Sequence, residues 1–174
     1  MNMALIQANF LYAGENDIAI SDANLYMFPF EIKESIPLLT LNLFKNEGNS
    51  AKTVSHYFGI YSLTGSSLSI ANSLTITTPL SSNVRWFSAT NTSIAQTLTA
   101  GNWWLGYLMS TSSNSNISLR GASNINPGNS FPGSFIGGRL SVTTNGLPAS
   151  VATNDFDITG SDAMNVPNII IVSA

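Results

Sequence analysis

After Gly101 the chain reads Asn-Trp-Trp-Leu-Gly-Tyr-Leu-Met-Ser as far as Ser110, apolar at most positions and without a charge. In an extended strand successive side chains point to opposite faces. Trp103, Leu105, Tyr107 and Met109 therefore face one way, and Trp104, Gly106, Leu108 and Ser110 the other. Both faces are apolar, so this segment belongs in the middle of a sheet whose outer face is also covered, by a loop, an N-terminal arm or another subunit. It is too short for a membrane-crossing helix, and no apolar run elsewhere approaches the roughly 20 residues needed.

The same period recurs along the chain, and helical periodicity is hard to find. Strands are expected at Leu5 to Leu11, Leu25 to Ile32, Leu38 to Phe44, His56 to Leu63, Ser67 to Ala71, Leu74 to Thr78, Val84 to Ala89, Ile94 to Leu98, Ile136 to Thr143 and Asn168 to Val172. Turn signals separate them at Glu47-Gly48-Asn49, Thr64-Gly65, Ala100-Gly101-Asn102 and Asn145-Gly146. That spacing predicts an all-β, antiparallel β-sandwich of jelly-roll-like form in one domain spanning 1–174. Pro29, Pro37 and the charges of Glu31, Lys33 and Glu34 mark a protected edge, with a short helix at Glu31 to Ser35 as the competing reading. The segment 110–134, rich in Ser, Asn, Gly and Pro, reads as a long surface loop holding at most a short strand at Asn116 to Arg120. Residues 1–12 read as a strand of this domain or an arm laid on a neighbour.

Charged residues make up only 9% of the 174 positions, and no carboxylate falls between Glu47 and Asp155. Soluble domains usually carry about 25%, so Ser, Thr, Asn and Gly must supply most of the polar surface. Such a surface suits a protein packed among other subunits. A net charge of -3 with six scattered basic residues offers no footprint for nucleic acid and no polybasic membrane patch. With no cysteine, neither disulfides nor thiolate metal sites are available. Met1 to Tyr12 lacks a basic leader and does not read as a secretory signal.

Catalytic groups are sparse. Glycosidase chemistry needs two carboxylates held roughly 5 to 9.5 Å apart; the central strands offer none, and a pair would have to be assembled from the ends, for example Glu31 with Asp157. His56, the single histidine, has no nucleophile-elbow sequence near it, and a strand-end histidine that is solvated or bonded to backbone is the expected role. Asp155, Asp157 and Asp162 alternate with neutral residues as calcium loops begin. The loop is incomplete, with Val166 where an EF-hand needs a carboxylate, so a solvated acidic turn is the plainer reading. No cofactor is expected.

The adjacent aromatics Trp103-Trp104 and Trp86-Phe87 are more informative, because one member of each pair must face away from the core. An outward tryptophan can be covered by a partner, can stack on a sugar, or can be capped by its own loops. Phe131, in the loop Pro127 to Gly133, either anchors in a neighbouring subunit or folds back on its own sheet. Arg85, beside Trp86, either stacks at such an interface or is a solvated strand arginine.

Two segments, His56-Tyr57-Phe58-Gly59-Ile60-Tyr61-Ser62 and Leu98-Thr99-Ala100-Gly101-Asn102-Trp103-Trp104-Leu105-Gly106, resemble those of tailed-bacteriophage virion proteins with β-sandwich domains, of the head-decoration or fibre type. The likeness covers roughly Tyr57 to Ser110 and transfers no motif of functional residues. Added to the non-enzymatic reading that the sparse catalytic groups give, it implies a structural protein at the virion surface, made in the bacterial host cytoplasm. Since the chain opens directly into strand-like sequence without a shaft, a capsid decoration or cement protein is expected before a tail-fibre or vertex-appendage domain that binds host surface glycan. A polysaccharide hydrolase is the remote alternative. The resemblance further implies a homotrimer contacting the major capsid protein.

Overall fold

The computed structural model of the chain describes residues 16–38, 40–44, 52–80, 86–90, 96–111, 117–122, 137–143, 146–158, 166–167 and 169–172. The strands are β1 (Asn16–Ile20), β2 (Asn24–Ile32), β3 (Ile36–Leu38), β4 (Thr40–Phe44), β5 (Lys52–Thr64), β6 (Ser67–Leu80) and β7 (Trp86–Thr90). There follow β8 (Gln96–Leu98), β9 (Gly101–Thr111), β10 (Ile117–Ala122), β11 (Gly138–Ser141), β12 (Ser150–Ala152), β13 (Val166–Pro167) and β14 (Ile169–Val172). Among the described residues there is no α-helix, only a single 3-10 turn at Thr153–Asp155, and every strand pairing is antiparallel.

A six-stranded sheet in the order β11-β2-β9-β5-β6-β12 dominates, beside three smaller sheets ordered β1-β10-β13, β14-β4-β7 and β3-β8. β9, the aromatic strand, sits near the middle of the large sheet between β2 and β5, where its apolar faces place it. The expected strands at Ser67 to Ala71 and Leu74 to Thr78 are one continuous β6. Its register slips by a residue opposite Ile60 and Tyr61, leaving Ala71 as a bulge. Glu31 and Ile32 complete β2, and Lys33 to Ser35 form an exposed bend, so the strand reading of that segment holds against the helix. In the segment 110–134, Ser110 and Thr111 end β9 and Ile117–Ala122 is β10. The strand expected at Leu5 to Leu11 and the arm at 1–12 lie outside the described residues.

The large sheet is strongly curled. Ala152 in β12 pairs with Ser67 of β6 at one edge, and Asp157, five residues on, exchanges two backbone hydrogen bonds with Arg139 of β11 at the other edge. In a flat sheet those edges would stand about 24 Å apart, at about 4.8 Å per strand. Five residues span at most about 18 Å even when fully extended, and three of them form the 3-10 turn. The sheet must therefore bend until segment 152–157 clasps its edges together.

The clasp closes over a core of Leu25, Met27, Tyr61, Leu68, Trp104, Leu108 and Phe156, with Leu140, Leu147 and Val151 packed against it. Gly59 and Gly106 face each other across β5 and β9 on this side. A Cβ on either would stand 2.7 or 2.6 Å from the Tyr61 ring, so the paired glycines form the trough in which that ring lies. Its hydroxyl donates to Pro148 O at 2.9 Å, tying the approach to β12 down over the trough.

The opposite face is also dry. Tyr26, Phe28, Phe30, Ile32, Val54, Phe58, Ile60, Leu105, Tyr107 and Met109 are each at most 4% exposed in a single copy of the chain. Burial of side chains of this kind contributes about 1.5–3 kcal/mol apiece, so both faces of β9 stabilise the fold without a partner.

Candidate functional site

His56 is inside the molecule and inside a strand, which corrects the expectation of a solvated histidine at a strand end. β5 begins four residues earlier, at Lys52, and His56 stands opposite Met109 on one side and Ile76 on the other, with no solvent exposure. Its Nδ1 shares a 2.9 Å hydrogen bond with Tyr107 Oη, and the two rings stack with centroids 6.0 Å apart and planes 17° from parallel. Phe58, directly opposite Tyr107 across the two strands, packs against its ring with centroids 5.2 Å apart. Burial raises the Tyr107 phenol well above its ordinary range, and the neighbouring Tyr26 raises it further, so Tyr107 is a neutral hydroxyl at physiological pH. A polar side chain in so dry a place must be hydrogen-bonded, and this bond meets that need. The geometry is that of a packed polar pair. The sequence carried a signal for it: His56 is in phase with Val54, Phe58 and Ile60, the buried row of β5.

The tryptophans divide as alternation requires. Trp104 is 3% exposed within the clasped core. Trp103 lies on the other face, opposite Phe30, half-buried and held by an Nε1 hydrogen bond to Thr99 O at 2.9 Å. Trp103 is thus the outward member of the pair, partly capped by its own turn, whose Thr99, Ala100 and Gly101 are exposed. Trp86 opens β7 opposite Phe44. Arg85, Phe131 and Asp162 lie outside the described residues.

The acidic residues are placed apart. Asp155 ends the 3-10 turn and is exposed, while Asp157 Oδ2 lies 3.6 Å from Arg139 Nη2. The Asp157 carboxylate is directed to a guanidinium, and among the described residues no three His, Cys, Asp or Glu side chains are grouped to hold a metal ion. Nor is Glu31 brought to Asp157. Through Arg139, Asp157 is level with Tyr26, five residues along β2 from Glu31. At about 3.4 Å per residue this is about 17 Å of strand, beyond the glycosidase separation.

No protein-family model matches the chain, and a search of curated proteins returns no significant match. No described helix is long and apolar enough to cross a membrane.

Proposed function

We propose that this chain is a non-enzymatic structural protein of a bacteriophage particle, a capsid decoration or cement protein that seats on the shell beside further copies of itself. The observation that carries the reading is how the polar chemistry of the large sheet is used. Its histidine and buried tyrosine hydroxyls bond inward, to each other and to backbone, while its exposed strand positions are mostly serine and threonine, at Thr64, Ser69, Ser73, Thr75, Ser141 and Ser150, with Glu31 as the charged exception among the described residues. Such a surface makes contacts through area and repetition. The likeness to phage virion proteins over Tyr57 to Ser110 supports it, as does the antiparallel all-β architecture, which we take to be the clasped sheet of a jelly-roll-like sandwich.

Quantitative mass spectrometry of purified particles, with antibody labelling in the electron microscope, tests this. The expected result is a copy number comparable with that of the major capsid protein and label spread over the head. Absence from particles overturns the reading. A handful of copies at the tail or a vertex selects the second reading, a receptor-binding domain, which Trp103 favours by standing half-buried against the exposed turn of Thr99 to Gly101. In that case binding on an array of host surface glycans is lost in Trp103→Ala.

A further inference from the structure

β6 is a 14-residue strand, yet β12 covers only Ser67 to Ser69 of its outer edge, with one further bond from Ile70 N–H to Ala149 O. Past Ile70, the only described strand that pairs with β6 is β5. Which residues present backbone groups to that edge follows from alternation, since successive residues of an antiparallel strand turn N–H and C=O to opposite neighbours. Ile70 turns outward, to Ala149. The bulge at Ala71 then shifts the phase by one, because Tyr61 pairs with Ile70 and Ile60 with Asn72. Ser73, Thr75 and Thr77 consequently face outward. Pro79 shares their phase, where its missing N–H costs the β5 pairing nothing.

We propose that this edge pairs with the same edge of a second copy, antiparallel about a two-fold axis at Thr75. A two-fold contact brings residues at and beside the axis close to their own counterparts, so a charge near Thr75 would meet its like. None does, because no Asp, Glu, Lys or Arg occurs between Lys52 and Arg85. Edge strands that stay single are commonly guarded by charge, proline or cover; here the guard is Pro79, at the far end. Centred on Thr75, the pairing sets Ser73 opposite Thr77 of the partner subunit and stops short of Pro79. Such a ladder has about six backbone hydrogen bonds. Ala71, Ser73 and Thr75 are exposed and small, which lets a second strand approach to about 4.8 Å. The contact is a property of the isolated chain and stands apart from any role in a particle. It is a dimer contact, distinct from the trimer that the phage resemblance implies.

Size-exclusion chromatography with light scattering, run over a range of concentrations on the purified chain, reads the stoichiometry. Hydrogen exchange reads the edge. The wild type is expected to dimerise, with the amides of Ser73, Thr75 and Thr77 slowing about tenfold or more as concentration rises. Thr75→Lys sets like charges together, and Thr75→Pro removes an outward N–H. Either is expected to weaken the dimer about tenfold or more while far-UV circular dichroism is unchanged. A wild type that is monomeric at every concentration, or trimeric, overturns the proposal. So does a dimer in which those three amides stay fast, a readout that stands even where Thr75→Pro does not fold.

Discussion

Tyr61 and Tyr107 carry hydroxyls that burial keeps protonated well above tyrosine's ordinary value near 10. Tyr61 bonds to the Pro148 carbonyl and Tyr107 to His56. A group whose folded-state value is raised gives stability that is fully present below its unfolded value and is lost as pH rises towards the folded one. These two therefore leave stability unaffected by their titration up to about pH 9.5. Above about pH 10 they reduce it, each by up to about 1.4 kcal/mol per pH unit. Urea unfolding between pH 8 and 11.5 is expected to show that decline, made shallower by Tyr61→Phe or Tyr107→Phe. A wild-type curve that stays flat to pH 11.5 contradicts the burial of these phenols. At neutral pH Tyr107→Phe is expected to lower stability by about 1–3 kcal/mol, because His56 Nδ1 loses its hydroxyl partner in a dry site.

At the scale of elements, the clasp at 152–157 joins the sheet edges through three contacts of unequal weight. The Arg139–Asp157 ion pair is partly exposed, with side chains 27% and 45% accessible, and is screened by solvent. Asp157→Ala is therefore expected to cost under about 1 kcal/mol, since the two backbone bonds to Arg139 persist. Phe156, 7% exposed in the core, is the anchor. Phe156→Ala is expected to cost about 3–5 kcal/mol, and equal costs for the two variants in denaturant titrations would show the ion pair to be the true fastening. The sequence disclosed the long strands because near-continuous apolar and aromatic runs bounded by turn residues, as in β9 and β2, read as strands covered on both faces. It was silent on the clasp, where β12 is only Ser-Val-Ala and its pairing is fixed by the distant Ser66 to Ser69. The bulge at Ala71 was hidden for a related reason: Asn72 and Ser73 look like a turn locally, and only the register against β5 carries them through as strand. Of the candidate site, the opposite orientations of Trp103 and Trp104 were legible from period two alone, but which of them the chain itself would bury depended on where the clasp falls.

For the whole molecule, the consequence is that folding and association are separable. An aromatic strand with two apolar faces suggests on its own a chain that needs a partner to stay dry. Here one copy covers both faces, and among the described residues the exposed large hydrophobic side chain is Ile158, at 49%. A solitary exposed apolar residue is ordinary. Edge pairing through β6 adds backbone hydrogen bonds without burying the aromatic core, so the core is complete before two copies meet. The Thr75→Lys chain, dissociated to monomers, is therefore expected to keep its near-UV tryptophan signal and to bind hydrophobic dye no more than the wild type does. Its melting temperature is expected to be independent of protein concentration, whereas that of the wild type rises with concentration by mass action. Strong dye binding and loss of the near-UV signal on dissociation would instead mean that the second face of β9 is kept dry by the neighbouring copy, and that the assembled state is the folding unit.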